Sequence, residues 1–211
     1  MRNFDFYEFV ALIIPGSVLM ISIGLLLRVD PIFSVLIPES FGELGAHVLV
    51  AYLAGHLLQG IGNYIEFLYW KLWKGMPTDW PISRKKAEIF PRANASILNI
   101  TGASRVEDIR NWRGLVAQAR SLVYSEGRAN RLQYFNGTYG LFRGVVAAGL
   151  IVASFAWNSP MNIAWVYLVI VLIIGISLNR MHRFAVHYAN ELFATVSVLV
   201  SREKGDDSGR S

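Results

Sequence analysis

At 211 residues the chain has the length of one ordinary soluble domain, but 54% of its residues are hydrophobic and only 17% are charged. Mean hydropathy is +0.39, and a soluble protein of this size needs more charge to keep its surface wet. The formal charge of +5 points first to membrane topology and anionic headgroups, and second to nucleic acid. The lack of cysteine excludes disulfides, thiolate metal sites and cysteine nucleophiles.

The opening segment, residues 1–8, carries Asp5 and Glu8 and no basic cluster. No small-residue cleavage site follows, so the first apolar block is expected to stay in the mature protein. That block, Phe9 to Leu27, is long enough to span, since a bilayer needs roughly 20 mostly apolar residues. Pro15-Gly16-Ser17 interrupts it. A proline there frees a backbone carbonyl and allows a kink, either fixed or used as a hinge in gating.

Leu44 to Gly62 is the second span and the most polar, containing His47, His56 and Gln59 but no charge. A helix lying on the membrane surface is the alternative. Tyr52, His56, Gln59, Asn63, Glu66 and Trp70 follow at spacings of four, three, four, three and four, which predicts a shared helix face. Polar side chains at bilayer depth face protein or water. Tyr52, His56, Gln59 and Asn63 are therefore a candidate polar seam: a hydrated or ligand-sensing path, or hydrogen bonding that holds the bundle. Ala51 and Gly55 beside it suit close packing.

The helix is expected to continue to about Lys74 and to stop at Gly75-Met76-Pro77. Tyr64, Phe67, Tyr69, Trp70 and Trp73 beside Lys71 and Lys74 suit the inner headgroup zone. A proline-containing loop follows, carrying Arg84, Lys85, Lys86 and Arg92 as candidate contacts for a cytoplasmic ligand, a nucleic acid or lipid. Ser104 to Glu107 matches a capping box, so a helix is expected from there to about Ser125, ended by Gly127. Val106, Ile109, Trp112, Val116, Ala119 and Val123 would form its buried face.

Leu141 to Trp157 is the third span. Arg143 near its start can snorkel to the headgroups if this end lies at the interface. Gly140, Gly144 and Ala148, four apart, predict close helix packing within the subunit or between subunits. Ile163 to Leu178 is the fourth and cleanest span, and Trp157 and Trp165 flank the short turn before it. Arg180 to Ser201 keeps a helical pattern, with Phe184, Tyr188, Leu192, Thr195 and Leu199 on one face. Residues 202–211 read as a disordered polar tail.

Twelve Lys or Arg against six acids in 63–140, and the basic C-terminal region, set the orientation. Basic segments stay inside, so both termini and the long loop are expected in the cytoplasm. The fold class expected is an all-α integral membrane protein: four transmembrane helices with a helical cytoplasmic portion. The division is 1–62 for the first two spans, 63–140 for the basic loop with helices, 141–179 for the last two spans, 180–201 for the helical extension and 202–211 for the tail.

Catalytic signatures are weak. His47, His56, His182 and His187 lack zinc-type spacing, and there is no phosphate loop or nucleophile elbow. Arg180 and His187 fit the loose arginine–histidine spacing of HEPN ribonucleases, a pattern that arises easily by chance. No enzyme activity, cofactor or metal is expected.

Phe4-Asp5-Phe6-Tyr7-Glu8-Phe9 leading into Ile14-Pro15-Gly16, and Ala51 to Gln59 in the second helix, resemble segments of small prokaryotic membrane proteins. The layout is similar to multi-pass components of bacterial antiviral defence, such as four-helix effectors of cyclic-nucleotide signalling or the membrane subunit of the Kiwa system. The resemblance covers architecture and these motifs. It implies an oligomeric inner-membrane protein that senses infection or perturbs the membrane, with a cytoplasmic partner protein or nucleotide signal. A scaffold anchoring a soluble partner is the alternative.

Overall fold

A computed structural model describes residues 9–27, 40–82, 111–157 and 163–208. The protein is all-α, with no strand among the described residues. A π-helical turn, Phe9–Ile13, leads into α1 (Ile14–Leu27). Then come α2 (Phe41–Leu72), a 3-10 turn (Pro77–Ile82), α3 (Trp112–Ser125), α4 (Asn130–Ala156) and α5 (Ile163–Ser208). Four helical stretches, within Phe9–Leu26, Phe41–Ile82, Asn130–Ala156 and Ala164–Arg202, are long and apolar enough to cross a membrane.

The chain divides into two compact units: residues 1–69 with 136–184, and residues 70–135 with 185–211. These units cut across the sequential segments of the sequence analysis. The reason is that three helices outrun their apolar blocks. At 1.5 Å per residue, the 32 residues of α2 extend about 48 Å and the 46 residues of α5 about 69 Å, against a hydrocarbon core of about 30 Å. Likewise α4 begins at Asn130, well before the expected Leu141.

In the first unit, α1 and α2 touch backbone to backbone. A Cβ added to Gly16 would sit 1.9 Å from the Ala51 carbonyl oxygen, and one added to Gly55 would sit 2.2 Å from the Leu12 carbonyl oxygen. The predicted small-residue pair on α2 is thus a helix crossing that only glycine permits. It also packs α2 directly against α1. Leu58, Ala147 and Ala148 form one apolar cluster with Leu19 and Ile65. Leu26, Val152, Ala156 and Ile170 form another.

In the second unit, α2 ends in a Schellman motif. The Gly75 N–H donates to the Trp70 carbonyl at 2.9 Å and the Lys74 N–H to that of Lys71 at 3.3 Å. The stop expected at Gly75 is there, but the left-handed position that ends the helix falls on Lys74, at φ 59°. Trp80 is buried edge-on against Trp70, and its indole N–H donates to the Gly75 carbonyl at 2.9 Å.

α3 starts later than expected. Asn111 has non-helical dihedrals and its side-chain oxygen accepts from the Gly114 N–H at 3.1 Å, so the helix begins at Trp112 rather than after Ser104. The capping box itself lies outside the described residues, as do Val106 and Ile109. The rest of the face is as expected: Trp112, Val116 and Val123 are buried and Ala119 is half-buried. Gly127 ends the helix at φ 67°, with the Arg128 N–H donating to the Val123 carbonyl at 3.1 Å.

The continuation of α5 past Arg180 is also observed. Its buried line, Met181, Ala185, Ala189, Leu192, Val196 and Leu199, shares Leu192 and Leu199 with the expected face. The expected disordered tail is corrected over 202–208, because α5 runs to Ser208. Nothing in 202–208 breaks a helix except Gly205, and one glycine costs only about 1 kcal/mol there.

Candidate functional site

The site begins with Pro15. Proline has no N–H, so the Ala11 carbonyl four residues earlier loses its usual helical donor. Pro15 is fully buried, and an orphan carbonyl at that depth needs another partner. Gln59 of α2 supplies it: its Nε2 donates to the Ala11 oxygen at 2.6 Å and to the Gly140 oxygen of α4 at 3.0 Å. The π-helical turn Phe9–Ile13 sits just before this point, a common way for a helix to absorb a defect. The carbonyl freed by Pro15 is thus satisfied from the side by another helix.

The other end of the Gln59 amide holds a charge. Oε1 accepts from Arg143 Nε at 3.0 Å and also from one terminal guanidinium nitrogen. The other terminal nitrogen pairs with the Glu66 carboxylate. All four hydrogen-bonding positions of the Gln59 amide are therefore filled. Arg143 is further bounded by the Tyr139 ring, 5.8 Å from the guanidinium carbon.

This corrects the expectation that Arg143 snorkels to headgroups. Its side chain is only 12% exposed and that of Glu66 18%. The reason is steric as well as electrostatic. Gly62 leaves room for the arginine stem, since a Cβ there would lie 2.9 Å from Arg143 Cγ. Gly144 leaves room for the Pro15 ring, since its Cβ would lie 2.8 Å from Pro15 Cγ and 3.4 Å from Gln59 Nε2. Gly140, Gly144 and Ala148 are all buried, and this ladder is spent on packing within the chain.

The predicted seam divides. Gln59 is buried, Tyr52 is half-buried, and His56 and Asn63 are exposed. His56 meets the Tyr52 ring edge-on, with centroids 4.6 Å apart. The buried face of α2 runs through Ala51, Gly55, Leu58, Gln59 and Gly62, so of the proposed seam only Gln59 lies centrally within it. Ser17 and His47 make a further contact between α1 and α2 at 3.4 Å. Arg84, Lys85, Lys86 and Arg92 lie outside the described residues.

Arg143 and Glu66 are a pair that periodicity did not join. The available signal was charge: one arginine in the third apolar block and one acid in the continuation of the second. In the second unit His187 stacks on Phe135, with centroids 5.7 Å apart. A shallow pocket there is lined by Lys74, Asp79, Asn111, Trp112 and Arg113. Burial raises the Asp79 carboxyl above its ordinary range, with Arg113 and the Trp112 indole drawing it back.

Compared with protein families, curated proteins and solved structures, the chain finds no match.

Proposed function

We propose that the protein is a non-enzymatic sensor or membrane-perturbing effector of the bacterial inner membrane, in antiviral defence. Its termini would lie in the cytoplasm, and a cytoplasmic ligand or partner would gate it. The observation that carries this reading is the Arg143–Gln59–Glu66 cluster. Through the Gln59 amide and the Arg143 guanidinium it ties the carbonyl freed by Pro15, the polar second helix and the middle of α4. Burying an ion pair costs desolvation that apolar packing would avoid, so it suits a device that must be able to come apart. Opening it would release Arg143 and Glu66 toward water and the Ala11 carbonyl from Gln59.

Voltage-sensitive dye in cells producing Glu66→Gln or Gln59→Leu tests this. The expected result is depolarisation and slowed growth without any activator, while the unaltered protein is silent. A resting potential unchanged by both variants, with each present in the membrane, would sink the effector reading.

The complete satisfaction of Gln59 favours a second reading, a scaffold that anchors a soluble partner. A scaffold would tolerate apolar replacement of His56 and Asn63 together with Gln59, provided the bundle still assembled.

A further inference from the structure

The small-residue ladder of α4 is consumed inside the chain, so an assembly of several copies needs another surface. α2 supplies one. Leu49, Leu53, His56, Gly60, Asn63 and Phe67 are all exposed, and they follow one another at four, three, four, three and four residues. The spacing averages 3.6, so the line runs straight along one side of α2, and its alternation of four and three is compatible with a coiled-coil seam. What sets it apart from the exposed apolar stripe beside it, Val50, Leu57, Ile61 and Leu68, is its chemistry: His56, Asn63 and a bare Gly60. The line runs along the side of α2 opposite Leu58 and Gly62, which face the bundle.

Its composition does not suit lipid. His56 lies twelve residues beyond Leu44 in the second apolar block, or about 18 Å along the helix, well inside a core of about 30 Å. Among the described residues the neighbour of its imidazole is the Tyr52 ring. An outward polar ring at that depth has no partner in hydrocarbon. One turn further on, a Cβ added to Gly60 would meet nothing within 4 Å, so the α2 backbone is open to close approach from outside.

We infer that this seam is the interface between two copies of the chain, pairing α2 with α2 in parallel about a twofold axis along the membrane normal. Copies inserted in the same orientation bring each seam residue beside its own counterpart. Every such pairing is self-complementary. Leucine meets leucine and glycine meets glycine, while Asn63 amides and neutral His56 rings each offer both a donor and an acceptor. No charged residue lies on the seam to oppose it. Polar groups at one or two seam positions also fix register and copy number. The inference requires that α2 cross the bilayer; it does not depend on the effector reading.

The chain contains no cysteine, so single cysteines report directly. Leu49→Cys, Leu53→Cys and Phe67→Cys lie on the seam. Val50→Cys, Leu57→Cys and Leu68→Cys are also exposed, each within about 6 Å of a seam position in depth but off it. After oxidation in native membranes, seam cysteines should give several-fold more disulfide-linked dimer than the off-seam set. Adding Gly60→Leu to Leu53→Cys should lower the dimer several-fold. Equal yields at all six positions, no dimer at any, or capture of a different protein would overturn the pairing. Because the readout is cross-linked mass and not membrane potential, its failure is distinct from failure of the effector reading.

Discussion

In the first unit, glycines and one arginine determine the packing; in the second, tryptophans do. Gly16, Gly55, Gly62 and Gly144 are placed where any Cβ would collide, and the space they leave admits a neighbouring backbone, the Pro15 ring and a guanidinium stem. The second unit has Trp70, Trp80 and Trp112 buried instead. The Trp112 indole donates to the Thr78 carbonyl at 3.0 Å, and its ring lies 6.0 Å from that of Phe193. The difference is the one that a change from lipid to water around the chain would produce. Where lipid is the surroundings, apolar bulk gives helices little reason to associate, and close approach and polar contacts must do it. Where water surrounds a fold, burying large aromatic area is the main drive.

That contrast can be broken at the crossing of α1 and α2. Gly16→Val would place atoms inside the Ala51 carbonyl, and the largest effect is expected here: loss of folded protein, read as the fraction surviving detergent extraction and size exclusion. Next is Glu66→Leu, which leaves a buried arginine with only Gln59. Unfolding in mixed micelles should show a loss of about 3–5 kcal/mol. In the second unit, Trp112→Phe keeps most of the ring but orphans the Thr78 carbonyl, for about 1–3 kcal/mol. Gly127→Ala forces a side chain into the left-handed region and should cost about 1–2 kcal/mol by the same assay.

The smallest effect concerns Asp79, which lies in the 3-10 turn past the end of α2. Its carboxyl is raised by burial, so the fold favours the protonated form. The stability this contributes is present at low pH and is lost as pH rises through the folded-state value. Asp79→Asn should therefore be slightly more thermostable than the parent near neutral pH. The gap should close as pH falls below the ordinary carboxylate range. A gap that widened on acidification would contradict the direction of the shift.

The same contrast explains what was legible in the sequence. The four apolar blocks, the stop at Gly75 and the stop at Gly127 are local patterns, and each is present in the fold. So is the close approach at Ala51 and Gly55, because small-residue spacing is also local. Arg143 was misread because its partners, Glu66 and Gln59, lie 77 and 84 residues away, and no periodicity links them. The helical face drawn through Tyr52, His56, Gln59 and Asn63 had the right period but the wrong centre. The packed face is fixed by the glycines, and these leave His56 and Asn63 outside. The extension of α5 to Ser208 was missed because composition alone does not distinguish a polar helix from a tail.

The central claim is that Arg143 is held inside the bundle by Glu66 and Gln59 rather than drawn out to headgroups. A double-mutant cycle with Arg143→Leu and Glu66→Leu in lipid vesicles tests it most directly. The structure predicts that the double variant is far less impaired than the sum of the singles, with a coupling of about 2 kcal/mol or more. Additive effects, agreeing within about 0.5 kcal/mol, would mean the two charges do not meet in the membrane.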